Sequence, residues 1–228
     1  LSDDDASVET VTISLKGTPR DGPVELILDG ESYTLERDEV TNRLSFTSDD
    51  VRVVSFLMGQ LSNTGIYYID RISEEEFIGG FHIFGYDTDP REILPLTGDA
   101  TYSGPAEIAL RNGDNFAFGS GGADLSIDFD ENTVGGSIAV SDNQQPNATM
   151  AFPDISITLN DTAITGNRFR GTTDAQSSAD GDTFSEGAFS GRFYESEGAV
   201  AAGQFSGAID APGLDERLVY EGTFITQE

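Results

Sequence analysis

The only histidine of the chain, His82, lies among aromatic residues in the stretch GGFHIFGYDTDP, residues 79–90. If this stretch is an extended strand, Gly80, His82, Phe84 and Tyr86 share one face of it. A neutral imidazole can ligate haem iron, aromatic rings can pack on a porphyrin, and a glycine allows the porphyrin to come close. The spacing is therefore compatible with a haem site in which His82 is the metal ligand.

Two tyrosines upstream extend this hypothesis. Tyr67 and Tyr68, together with Met58, are candidates for an opposite iron ligand or for packing against the porphyrin. In the alternative interpretation, His82 is a half-buried strand residue hydrogen-bonded to the backbone, and the aromatic residues around it form a core without any cofactor. The residues leave both interpretations open.

Other kinds of active site find little support. A serine triad would have to use the single histidine, and no G-x-S-x-G motif is present. The absence of cysteine excludes disulfides, thiol catalysis and cysteine-ligated metal centres. Oxygen ligands for calcium could come from DFDEN (128–132) or DGDTFSE (180–186), but neither follows the EF-hand spacing, and solvated turns are the preferred interpretation. We therefore predict that the protein is not an enzyme.

The net charge restricts the partners. Acidic residues number 41 against 12 basic ones, which gives a net charge of -29. Such a surface repels nucleic acid and anionic lipid headgroups, so neither is expected as a partner. All basic residues except Lys16 are arginines. This composition fits a saline habitat and argues against a vertebrate protein such as transferrin, although an acidic surface made for a basic partner is an alternative.

Alternation of apolar and polar residues dominates the chain and predicts an all-β fold. In ADLSIDF (123–129), for example, Leu125, Ile127 and Phe129 alternate with polar residues. The best candidate for a helix is SEEEF (73–77), with Ser73 as its N-cap. No apolar run is long enough to cross a bilayer. The first residues lack a signal-peptide core, so we expect a processed end, and any targeting segment or lipid anchor would lie upstream of residue 1.

The pattern of residues along the chain changes near TDPREILPLTGDATYSG (88–104), and this change predicts a boundary between two parts. From Thr101 onward about eight to ten strand-like segments follow, enough to close a barrel. We therefore predict a smaller β-rich module at 1–98 and a β-barrel at 99–228. The polar stretch AQSSADGDT (175–183) is expected to be a loop of that barrel, and we expect a monomer.

Five phrases in the second part, taken in order, resemble the C-terminal barrel of the transferrin-binding protein B-like family. They are FGYDTDPREILPLTGDATYSG (84–104), ADLSIDFDENTVGGSI (123–138), DISITLNDTAITGNRFRGT (154–172), GAFSGRFYESEGAVAAGQFSGAI (187–209) and GTFI (222–225). The resemblance implies an eight-stranded antiparallel barrel that follows a handle-like β module. It also implies a non-catalytic surface or exported lipoprotein of a Gram-negative bacterium, in a family that includes the haem-carrying hemophilins.

One loop departs from the family pattern. The family usually follows its Phe-Tyr pair with a Gly-Pro turn and then a glutamate, whereas this chain has Glu195 and Ser196 at the turn and Val200 or Ala201 where the acid would be. A family function of that loop therefore cannot be carried over to this chain.

Together these observations predict a non-catalytic exported or cell-surface protein that captures a nutrient, with haem as the leading ligand and His82, Phe84, Tyr86, Tyr67 and Tyr68 as its site. The alternative is a surface lipoprotein that binds another protein and uses no cofactor. Exposed aromatic residues of the first part would then be the anchors for the partner.

Overall fold

A computed structural model describes residues 13–16, 24–28, 30–37, 44–47, 51–57, 65–72, 77–113, 115–144, 152–178, 184–210 and 217–228. The chain forms two compact units. One comprises Leu1–Leu57 with Tyr67–Gly80, and the other Met58–Ile66 with Phe81–Glu228. Among the described residues, no helix has the length and apolar character needed to cross a membrane.

The first seven strands form one sheet in chain order. They are β1 (Ile13–Lys16), β2 (Val24–Leu28), β3 (Glu31–Arg37), β4 (Leu44–Thr47), β5 (Val51–Leu57), β6 (Gly65–Ile72) and β7 (Phe77–Phe84). Alternation is visible in β3, where Leu35 is buried between the exposed Thr34 and Glu36. The helix predicted at 73–77 lies mostly outside the described residues, but its last residue, Phe77, begins β7 instead.

The remaining eight strands close into an antiparallel barrel in which each strand pairs with its neighbours in the chain, and the last strand pairs with the first. They are β8 (Asp99–Asn112), β9 (Asn115–Asp128), β10 (Thr133–Gln144), β11 (Ile155–Thr165), β12 (Arg168–Ser177), β13 (Phe184–Tyr194), β14 (Val200–Asp210) and β15 (Leu218–Gln227). The predicted all-β fold with an eight-stranded barrel is confirmed. The barrel begins at Asp99, while the division of the chain at 98/99 stays a prediction.

Short turns join the strands at the barrel end where β8 begins. Gly166 and Asn167 make the two-residue turn between β11 and β12, and Gly166 has a φ of 64°, which glycine tolerates best. After β9, Asn132 adopts a φ of 56° and the Asp128 carboxylate accepts a hydrogen bond from the Glu131 amide at 2.8 Å. The register of β10 against β11 shifts between Val134 and Gly136, where two consecutive glycines, Gly135 and Gly136, allow a bulge.

One predicted loop is shorter than expected. Residues 175–177 continue β12, and Ala175 is buried in the core rather than exposed in a polar loop. Exposed and buried side chains alternate from Arg168 to the end of β12. The polar residues fit this alternation because their side chains lie on the solvent-facing side of the strand. Residues 179–183 lie outside the described part of the chain.

Phenylalanines packed over glycines fill the barrel. Each of four phenylalanines lies directly opposite a glycine on the neighbouring strand and covers it. The pairs are Phe169 with Gly191, Phe189 with Gly171, Phe205 with Gly222, and Phe224 with Gly203. A glycine leaves room for the opposite ring, which in turn shields the bare backbone. The spacing of a phenylalanine and a glycine two residues apart on these strands is therefore a packing pattern.

Candidate functional site

Four of the five predicted haem residues lie on two strands, and they are divided between the two compact units. Tyr67 and Tyr68 lie in β6 and belong to the first unit, whereas His82 and Phe84 lie near the end of β7 and belong to the unit that contains the barrel. The side chains of these four residues are outside what the structure describes. The haem site therefore stays a prediction.

Tyr86 comes two residues after β7, and its side chain is 56% exposed. Its carbonyl oxygen accepts a hydrogen bond from the Glu195 amide at 2.8 Å. The backbone of the next residue, Asp87, forms an isolated antiparallel β-bridge with Tyr194. The Asp87 carboxylate forms an ion pair with Arg192 at 2.7 Å. The chain thus leaves β7 as a short extended segment paired with the end of β13, and this pairing presents the Tyr86 ring to solvent.

The same segment is fixed to the barrel by Thr88. Its amide donates to the carbonyl of Phe193 at 3.1 Å, and its hydroxyl donates to the carbonyl of Glu195 at 2.6 Å. The side-chain amide of Asn167 donates to the Thr88 carbonyl at 2.8 Å. Because Thr88 and Asn167 are both buried, these bonds are shielded from water and hold the segment firmly.

A one-turn helix, α1 (Pro90–Ile93), covers this end of the barrel. Asp89 caps it by accepting from the Arg91 amide at 2.9 Å, and Pro90 occupies the first turn, where no amide hydrogen is needed. Ile93 is buried in the barrel core, whereas the following Leu94 is 72% exposed. The helix therefore closes the barrel with one apolar side chain and exposes another.

The loop that departed from the family pattern packs against this helix. The Glu197 amide donates to the Glu92 carboxylate at 2.9 Å, and the carbonyl of Gly198 accepts from the Tyr102 hydroxyl at 2.9 Å. Glu195 has φ 64° and ψ -179°, and Glu197 has φ 57°. The first of these conformations is nearly exclusive to glycine, and a glutamate held there stores strain.

Replacing the strained residue tests this geometry. Glu195→Gly is expected to raise the free energy of unfolding by about 1 kcal/mol, because glycine adopts this conformation without strain. Ala199→Gly is the matched control, since Ala199 has φ -55° in the same loop. Its expected effect is a loss of about 0.5–1 kcal/mol. Urea unfolding of both variants measures the difference, and a destabilised Glu195→Gly protein would contradict the backbone assignment.

The barrel interior contains no group poised for acid–base chemistry near neutral pH among the described residues. Burial raises the pKa of the Tyr102 hydroxyl to about 12. Burial also raises the pKa of Tyr220, whose hydroxyl lies 3.1 Å from that of Thr173. Both phenols are therefore neutral at pH 7 and serve as hydrogen-bonding groups in the core.

The two acidic stretches considered for calcium have different outcomes. In 128–132 the Asp128 carboxylate is used to form the turn. Most of the stretch 180–186 is outside the described residues. Across the part of the chain that the structure describes, no group of three or more acidic or histidine side chains is placed to hold a metal ion.

This part of the structure thus exposes Tyr86, which the sequence analysis had proposed as a haem contact, and Leu94, which it had not singled out. Tyr86 and Leu94 are two of the three large hydrophobic residues exposed in the described part of the chain. They flank a segment that also carries Asp87, Asp89 and Glu92. Exposed tyrosines are frequent anchors for a partner protein. The sequence contained a signal for Leu94, an apolar residue placed directly before a proline.

Comparison with known proteins gives a family match over most of the barrel unit. The family described as "C-lobe and N-lobe beta barrels of Tf-binding protein B" matches residues 94–225. No curated protein matches the sequence.

Solved structures of transferrin-binding protein B have a similar fold. A double mutant from Haemophilus parasuis Hp5 is 19% identical with a TM-score of 0.59, and the match covers 95% of this chain and 42% of that one. The intact Ap-TbpB structure with its N and C lobes gives 18% identity, a TM-score of 0.57 and coverages of 90% and 41%. The isotype 1 protein from serogroup B Neisseria meningitidis is 18% identical with a TM-score of 0.55, and the match covers 89% of this chain and 39% of that one. This chain therefore spans about two fifths of the length of these proteins.

Proposed function

This chain belongs to the family of transferrin-binding protein B barrels, and from that membership we propose that it is a non-catalytic binding protein for iron acquisition in a Gram-negative bacterium. We place it outside the cell, either anchored at the outer-membrane surface or released. The family match over residues 94–225 is the observation that carries this proposal.

The filled barrel supports binding rather than transport or catalysis. Phe189, Phe193 and Phe224 occupy its interior and are at most 2% exposed. A barrel of eight strands has room either for side chains or for one small ligand, and here side chains take the space. A ligand must therefore bind to the outer surface, to the loops or to the β-rich part that precedes the barrel.

Haem is the ligand that we propose first. The support is His82, the only imidazole of the chain, which lies in β7 between Phe81 and Ile83 and four residues before the exposed Tyr86. Imidazole is a common axial ligand of haem iron. In this proposal Phe84, Tyr86, Tyr67 and Tyr68 supply ring contacts or an opposite ligand.

An iron-carrying protein is the second candidate. The structures that resemble this chain are named for transferrin binding, and the exposed Tyr86 and Leu94 offer anchors for a protein surface. The acidic composition, which fits a saline habitat, argues against vertebrate transferrin itself. A partner of this kind would need no imidazole.

Hemin titration with and without the imidazole tests the proposal. We expect the purified protein to give a saturable, sharpened Soret band that is absent in His82→Ala, because the variant lacks the iron ligand. Ser126→Ala, an exposed substitution on the barrel wall, is the control and should titrate like the original protein. In parallel, the immobilised protein is exposed to iron-loaded transferrin, which we expect not to be retained.

The outcomes separate the two candidates. A Soret band that His82→Ala leaves unchanged would reject the proposed ligand. Transferrin retained equally by the original protein and by His82→Ala, without a hemin signal, would replace haem by the protein partner. If the protein binds neither hemin nor transferrin, the proposed role in iron acquisition loses its experimental basis.

A further inference from the structure

The basic residues of the barrel are few and unevenly placed. From residue 99 onward the chain has only five: Arg111, Arg168, Arg170, Arg192 and Arg217. Three of them, Arg168, Arg170 and Arg192, lie on the neighbouring strands β12 and β13. We refer to these three residues as the arginine patch.

Strand register brings the patch together on the outer face of the barrel. Arg168 is directly opposite Arg192, and Arg170 follows two residues later on the same side of β12. The intervening Phe169 and the neighbouring Phe193 point inward and are buried. Side chains directly opposite in an antiparallel pair have Cβ atoms about 4.5–5.5 Å apart. Three guanidinium groups can therefore reach a common point above the wall.

Two of these arginines have no acidic partner in the described part of the chain. Arg192 pairs with Asp87 at 2.7 Å, and at the far end of the barrel Arg217 pairs with Asp210 at 2.7 Å. Arg168 and Arg170 are exposed, and no carboxylate of a described residue pairs with either of them. This is unexpected where acids outnumber bases 41 to 12.

The arrangement works against stability if nothing binds to it. Like charges directly opposite on neighbouring strands repel one another. The outward residues beside the patch are small: Ser190 is opposite Arg170, and the exposed Ala163 and Thr165 lie on β11. Small neighbours leave the guanidinium groups of Arg168 and Arg170 accessible and give these two no charge partner. A bound anion would supply the missing countercharge.

We propose that the arginine patch is a binding site for a compact phosphate-type oxyanion that carries at least two negative charges. The planar guanidinium group donates two parallel hydrogen bonds to such oxygens, and several arginines can share one anion. The anion comes from a free ligand rather than from a lipid headgroup, because an anionic membrane presents many negative charges at once to a protein of net charge -29, whereas a small free anion presents only its own.

Calorimetric titration with inorganic pyrophosphate at constant ionic strength tests the site. The double variant Arg168→Gln with Arg170→Gln removes the two unpaired charges. The matched control, Arg111→Gln with Arg217→Gln, removes two other barrel arginines. We expect the first pair to weaken pyrophosphate binding about tenfold or more, since two charge-assisted bidentate contacts are lost. The control should bind within about twofold of the original protein, because its arginines lie away from the patch.

Two further measurements on the same proteins test whether the anion belongs to a lipid headgroup and whether the variants are folded. Vesicles of phosphatidylcholine with phosphatidic acid should not sediment the protein. Thermal unfolding of the patch variant should match or exceed that of the original, because a like-charge pair is removed. Equal pyrophosphate affinities for both double variants, no saturable binding by the original protein, or vesicle binding without pyrophosphate binding would each overturn the proposal.

Discussion

Phe193→Ala is expected to lower the free energy of unfolding by about 3–5 kcal/mol, the usual loss when a large buried aromatic side chain is removed. Phe193 is fully buried. The centroid of its ring lies within 5.6–6.2 Å of the ring centroids of three other residues: Phe169 at 5.6 Å, Phe129 at 6.1 Å and Tyr102 at 6.2 Å. These rings come from four different strands or turns, so the cavity left by alanine cannot collapse easily. Denaturant unfolding measures the loss.

The control for this prediction is Val219→Ala. Val219 is 49% exposed on the outer wall of β15, so its truncation should change the free energy of unfolding by no more than about 0.5 kcal/mol. In a chain of this size each kcal/mol corresponds to about 2–4 °C in the melting temperature. If Phe193→Ala melted together with Val219→Ala, the barrel would not be filled, and the argument for external binding would fail.

The barrel could be predicted from sequence because its signals are local. Leu125 and Ile127 are buried and Asp124 and Ser126 are exposed, as simple alternation requires. The turn at Gly166–Asn167 also follows from residue type, since its first residue adopts a positive φ. The order of the phrases along the chain, taken with the family resemblance, gave the closure into eight strands.

Helix α1 was not predicted, because four residues carry no periodic pattern. Its geometry depends on contacts that are distant in sequence. The Glu92 carboxylate accepts from the amide of Glu197, and Ile93 lies so close to Gly198 that a Cβ there would come within 2.7 Å of its Cδ1 atom. A local reading of PREI contains none of this information.

The arginine patch shows the same limit. The alternation of Arg168, Phe169 and Arg170 is visible in the sequence and puts both arginines on one face. The pairing of Arg168 with Arg192 depends on the register of β12 and β13, which no single stretch encodes. For His82, sequence reasoning gives the strand and its neighbours, and the haem site stays a prediction that the hemin titration tests.

These features divide the barrel into an inside and an outside with separate roles. The inside is an aromatic core whose rings cover cross-strand glycines, and it gives a rigid wall. In the function that we propose, a ligand then binds either to the β-rich part before the barrel or to what the wall carries, which is the segment after β7, the loop at Glu195 and the arginine patch. Rigid scaffolds with variable attachments are a common way to build binding proteins. The packing around one glycine tests how rigid this wall is.

Gly121→Ala is expected to destabilise the protein by about 2–3 kcal/mol, because it overpacks a wall that has no room for a methyl group. A Cβ atom at Gly121 would overlap the carbonyl oxygen of Ala139 and lie 2.8 Å from the Cα atom of Val140 on the neighbouring strand β10. Both obstacles are backbone, so relief requires β9 and β10 to separate where the register already shifts beyond Val140. Chemical unfolding and amide hydrogen exchange of these two strands measure the effect.

The adjacent residue provides the control. At Gly122 an added Cβ meets nothing nearer than the Gly104 carbonyl oxygen, at 4.0 Å, and neither glycine has a positive φ. Gly122→Ala should therefore be neutral or stabilising by up to about 1 kcal/mol, through the lower entropy of the unfolded chain. Two identical substitutions one residue apart are thus expected to have effects of different size and sign. Equal effects would mean that β9 and β10 do not pair as closely as the register requires, and the closed wall on which external binding depends would have to be abandoned.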